Sequence, residues 1–108
     1  MTQPAQQVAL VLTTFGVGQA MAVARVLVDE RLAACVNVLD GVRSIYRWKG
    51  AVERDDELLC ICKTTRDGFE KLRARVVELH PYEVPEVVAL PIELGHTPYL
   101  AWLTASVG

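Results

Sequence analysis

The sequence predicts an α+β fold: a ferredoxin-like βαββαβ sandwich with a long two-stranded ribbon in the middle and a short C-terminal helix. Two observations predict it. β-branched apolar runs alternate with stretches of helical periodicity, and the alternation has the order of two β–α–β halves. The chain has 108 residues, of which 52% are apolar and 22% charged. That is room for one domain with a core of its own, and it excludes a disordered chain.

Each element has its own signal. Residues 8–14 (VALVLTT) form a short β-branched run, read as a strand buried on both faces. Gly16 and Gly18 break it, and Ala20, Val23, Ala24, Leu27 and Val28 then recur at helical spacing through Glu30. Residues 34–46 are rich in Val, Ile and Tyr and read as extended. Asp40-Gly41 within them reads equally as a tight hairpin or as a bulge in a long strand, and Lys49-Gly50 offers a second place to turn. Residues 51–63 return as a strand ending in Leu58-Leu59-Cys60-Ile61-Cys62, apolar on both faces as in a central strand. Its middle, residues 53–57, is charged and is expected to be solvated. Thr65 or Asp67 can cap the next helix, whose buried stripe is Phe69, Leu72, Val76 and Leu79 and which Pro81 stops. A fourth strand lies at residues 87–90. Thr97 as N-cap and Pro98 at the first position open the last helix.

Eleven basic against thirteen acidic residues give a net charge of −2, with a pI near 5.6. No basic excess points to nucleic acid or an anionic membrane. No apolar run approaches the roughly 20 residues of a membrane span. The start, MTQPAQQ, lacks the pattern of a secretion signal. Three cysteines are too few for a disulfide framework. These readings predict a cytoplasmic single domain over residues 8–107 preceded by a loose segment, 1–7. With both large helices on one face of the sheet, the other face is left uncovered, which predicts a homo-oligomer, two-fold or three-fold.

Candidate chemistry is confined to few residues. Cys60 and Cys62 lie two apart on a strand and share a face; they read as small core hydrophobes, and as thiolates they could take copper(I) or zinc. Cys35 sits in a similar strand. His80-Pro81-Tyr82-Glu83-Val84-Pro85-Glu86 holds a histidine, a tyrosine and two carboxylates on a rigid turn between a helix and a strand. Imidazole plus carboxylate is a partial site for a divalent transition metal, to be closed by a second segment or subunit. The plain alternative is that His80 donates to a carbonyl at the helix end. Tyr46 and Trp48 alternate on one face of the ribbon, placed to stack on a ligand or to pack between subunits. No nucleophile elbow, phosphate-binding loop or zinc-protease motif occurs, so an enzyme is the least favoured class.

The segments Glu30–Asn37 (ERLAACVN), Ser44–Gly50 (SIYRWKG), Lys63–Thr65, His80–Glu86 and Tyr99–Trp102 together closely resemble the CutA family of divalent-cation tolerance proteins. The resemblance runs over residues 8 to 107. It implies a ferredoxin-like subunit in a tight homotrimer with ribbons pairing between subunits, the turn at residues 48–50, and Asp40-Gly41 as a bend in a long strand. It also implies cytoplasmic tolerance to copper and other divalent ions, and kinship with PII-type signalling trimers that bind small ligands between subunits. His80 and Glu86 are the implied metal residues, and Cys35 matches the family's A-A-C segment. A divalent metal (copper or zinc) loosely bound at the inter-subunit cleft, with no organic cofactor, no nucleic acid and no membrane partner, is the expectation. The alternatives are a PII-like module that takes a metabolite or anion on Lys49, Lys63 or Arg66 beside Trp48 or Tyr82, and a stable trimeric scaffold.

Overall fold

The computed structural model describes residues 7–108. The order is β1 (Val8–Gly16), α1 (Ala20–Asp29), β2 (Cys35–Trp48), β3 (Ala51–Thr65), α2 (Phe69–Leu79), β4 (Val88–Pro91) and α3 (Thr97–Ala105). The strands form one antiparallel sheet in the order β2-β3-β1-β4. Of the segment expected to be loose, residues 1–6 lie outside the described residues, and the Gln7 carbonyl accepts the Arg66 N–H at 2.6 Å.

Side chains alternate between the two faces of the sheet. Val11, Thr13 and Phe15 of β1 and Leu58, Cys60 and Cys62 of β3 face α1 and α2, whose Val23, Leu27, Leu72 and Val76 complete the main core. Cys60 and Cys62 are therefore core residues. Burial raises the pKa of Cys60, and burial with its two fellow cysteines pushes Cys62 up to about 12, so both stay protonated thiols. The Thr13 hydroxyl, fully buried, finds no hydrogen-bond partner among the described residues.

The opposite face carries Leu10 and Leu12 of β1, Leu59 and Ile61 of β3, and Val88 and Leu90 of β4, the last two paired with Leu12 and Leu10 and about half exposed (49% and 51%). This face is not bare along its whole length, as the sequence suggested. Leu100 and Leu103 of α3 pack on Val8 and cover one end of it. Arg31, in the left-handed region (φ 61°), clamps that helix by donating to the carbonyls of Ala105 and Gly108.

The ribbon turns at Lys49-Gly50, both with positive φ (50° and 84°), the pairing of a type I′ hairpin. Asp40-Gly41 is a bulge: between the pairs Leu39↔Leu59 and Val42↔Glu57 strand β2 spends one residue more than β3. The extra residue reverses the parity of β2. Beyond it Ser44, Tyr46 and Trp48 stand on the face that carries Asp55 and Glu57, while Arg43, Ile45 and Arg47 point to the other. The ribbon outruns the sheet, which accounts for an extent of 48 Å against 25 and 23 Å in the other directions.

Element ends differ from expectation by a residue or two. β1 runs on through Gly16, because the β3 ladder continues to Glu57. Neither Thr65 nor Asp67 caps α2: Gly68 holds that position, and Thr65 Oγ1 accepts the Gly68 N–H at 2.9 Å. His96 precedes α3, and Thr97 is its first residue.

Candidate functional site

The turn between α2 and β4 is fixed by one buried side chain. His80, 8% exposed, stacks on Phe15 with ring centroids 4.1 Å apart and meets the Tyr82 ring at 4.4 Å. Its Nε2 lies 2.6 Å from the Thr14 carbonyl oxygen, and its Nδ1 lies 3.1 Å from the Tyr82 amide nitrogen. A carbonyl only accepts and an amide only donates, so Nε2 carries the proton and Nδ1 is the acceptor. The imidazole is neutral, and its one lone pair is spent on the backbone.

Tyr82 then reaches Glu57, donating its hydroxyl to Oε2 at 2.8 Å. Glu57, expected to be solvated, is 5% exposed. It pairs with Gly16 at the end of β1 and lies under Tyr82. Alongside, Tyr46 donates its hydroxyl to Asp55. Burial, then the bond to Glu57, pushes Tyr82 up to about 12. The bond to Asp55 is the first cause of a similar rise at Tyr46. A phenolate beside these carboxylates would add a second negative charge at short range.

The ribbon and the turn enclose a cleft of about 860 Å³. Thr14, Ser44, Tyr46 and Trp48 line it from the sheet, and Tyr82, Glu83, Val84 and Glu86 from the turn, with Glu57 at its floor. Arg43, Ile45 and Arg47 of β2 line it as well. The Lys49 ammonium, outside the lining, lies 3.7 Å from Glu83 Oε2 and 5.5 Å from the Trp48 ring centroid.

The predicted metal residues do not assemble within one subunit. His80 has no free lone pair, and it donates to Thr14 rather than to a carbonyl at its own helix end. Glu86 lines the cleft. Cys35 pairs with Lys63, on the open face. In the ladder that is four residues from Thr14, or about 13 Å along the strand. Among the described residues no group of three His, Cys, Asp or Glu side chains is placed to hold a metal ion. The cations named for an anion site are also apart: Lys63 sits over Tyr99 of α3, at 5.7 Å, whereas Lys49 is at the ribbon tip. Sequence reasoning missed Glu57. The one available signal was its place beside Leu58 at the apolar end of the strand, and its neighbours Asp55 and Asp56 masked it.

Residues 9–106 match the family described as CutA1 divalent ion tolerance protein. A divalent-cation tolerance protein CutA of Thermus thermophilus is 56% identical over 89 residues, covering 82% of this chain and 86% of the relative. Protein CutA of the mouse is 49% identical over 81 residues, 75% of this chain, which spans about half (46%) of that longer relative. Among solved structures, the Thermus thermophilus divalent cation tolerance protein superposes with a TM-score of 0.91 at 52% identity, over 94% of this chain and 99% of the other. A PII-like protein CutA from Nostoc, in its apo form, gives 0.89 at 34%, over 93% and 97%. The motifs read from the sequence, the antiparallel α+β architecture and these likenesses converge: the chain belongs to the CutA1 divalent ion tolerance family.

Proposed function

We propose that the chain serves divalent-cation tolerance as a non-enzymatic, cytoplasmic homotrimer of ferredoxin-like subunits that binds its ligand in the cleft between ribbon and turn. The ligand is a divalent cation, copper or zinc, loosely held by Glu86 and the other cleft carboxylates with donors from a neighbouring subunit. One observation carries this reading: an apolar sheet face, uncovered beyond α3, lies on the same face of the sheet as Glu57, in a cleft lined by three carboxylates and two arginines. Copies that cover the face are brought to the cleft by the same contact. No helix is long and apolar enough to cross a membrane, and the three cysteines are free thiols, which suits a reducing compartment.

The test joins sedimentation with titration. A trimer that persists on dilution is expected, together with a zinc or copper(II) affinity that Glu86→Gln lowers about tenfold or more. A folded monomer, or an affinity untouched by Glu86→Gln, refutes the proposal. A second reading, a PII-like module for a metabolite or anion, is favoured by Arg43 and Arg47. Their side chains make no hydrogen bond or ion pair among the described residues. Strong thermal stabilisation by nucleotides or organic acids, and none by metals, would select it.

A further inference from the structure

We propose that the cleft binds a small organic ammonium ion, an aliphatic amine or a methylated ammonium, seated against the rings of Tyr46, Trp48 and Tyr82 with Glu57 and Glu83 as counter-charges. The inference rests on the reading of the cleft as the ligand site and adds to the metal a second class of cation that it would take. The β2 bulge is the first ground. It turns Tyr46 and Trp48 onto the face of Glu57 and sends Arg43 and Arg47 to the other, so the rings share a face with a carboxylate, although both arginines also line the cleft. The second ground is Glu57. It is 5% exposed and hydrogen-bonded through Oε2 alone, to Tyr82, so that Oε1 has no partner among the described residues. Oε1 is not one of the buried atoms that lack a partner, so it is open to the cleft, where it can face a positive neighbour.

The third ground is a cation of the chain itself beside two of the lining residues. The Lys49 ammonium lies over Trp48 and against Glu83, which is the environment proposed for a free ammonium, reproduced by a tethered one at the cleft mouth. Rings reward a bulky, weakly hydrated cation through their negative faces. At Tyr46 the bond to Asp55 is the first cause of the raised pKa, which agrees with negative charge beside that ring.

Choline, its neutral carbon isostere 3,3-dimethylbutan-1-ol, and potassium chloride at matched ionic strength make the test, read by calorimetry on the full chain. Choline is expected to bind at least about tenfold more tightly than the isostere, and potassium to give no competition beyond screening. Trp48→Leu, on the exposed ribbon, should weaken choline about tenfold, and Glu57→Gln, which keeps an acceptor for Tyr82, should do likewise. Lys49→Asn should tighten it, since it removes the tethered competitor while suiting the type I′ turn. Equal binding of the isostere, no binding of choline, or weaker binding in Lys49→Asn overturns the proposal. Sedimentation and zinc titration on the same sample report separately on the trimer and the metal, so either can fail without the other.

Discussion

His80→Ala separates a structural histidine from a metal ligand. The substitution removes the donor to the Thr14 carbonyl at 2.6 Å and the acceptor for the Tyr82 amide at 3.1 Å. Each hydrogen bond is worth about 1 kcal/mol net, and more where the abandoned partner is buried. It also empties a ring-sized space against Phe15, at a cost of about 2 kcal/mol or more. The sum is about 4 kcal/mol. With a urea m-value of about 2 kcal/mol/M, the unfolding midpoint should fall by about 2 M at fixed protein concentration. Copper(II) and zinc affinities, measured by calorimetry, should stay within about twofold of the parent, because the imidazole has no lone pair to give. His80→Gln, whose amide can both donate and accept, should lose about half as much stability and provides a folded comparison. A tenfold fall in metal affinity, with stability reduced by less than about 1 kcal/mol, would refute the assignment.

Two further predictions concern the core and the cleft. Thr13→Val exchanges a partnerless buried hydroxyl for a methyl of the same shape, and should stabilise the chain by about 1–3 kcal/mol in the same urea assay; unchanged or lower stability would mean that the hydroxyl has a partner. Tyr46 and Tyr82 should ionise near 12 rather than at 10.0, seen as late phenolate absorbance. A raised folded-state pKa favours the protonated native state, so their contribution is complete below pH 10 and is lost as the pH climbs from 10 through 12. Phe at either position should remove one late-titrating phenol, and a titration complete near pH 10 would contradict the geometry.

Local patterns make most of the fold legible. Periodicity places every helix and strand to within a residue or two, since each buries one face and leaves the other to solvent. Lys49-Gly50 is one of two places to turn that the residues offer, and only the family resemblance selects it, since Asp-Gly suits two positive φ values better than Lys-Gly. The cysteine pair is readable as core from the apolar run around it. His80 is visible as a rigid turn residue, but its two partners come from strand β1 and from the backbone of Tyr82. Residue type alone therefore left metal ligand and backbone clamp both open.

What only the tertiary structure decided follows from pairing. Whether Asp40-Gly41 is a hairpin or a bulge is a matter of which β3 residue each neighbour meets, and one extra residue moves every following side chain to the opposite face. That parity sets Tyr46 and Trp48 on the face of Glu57. Glu57 looks like its solvated neighbours until Gly16 is set beside it and Tyr82 comes to lie over it. The sequence by itself determined the elements, the main core and the family, because short-range periodicity and turn chemistry act along the chain. The cleft needed the fold, because its chemistry depends on which face a strand shows and on contacts between residues far apart in sequence.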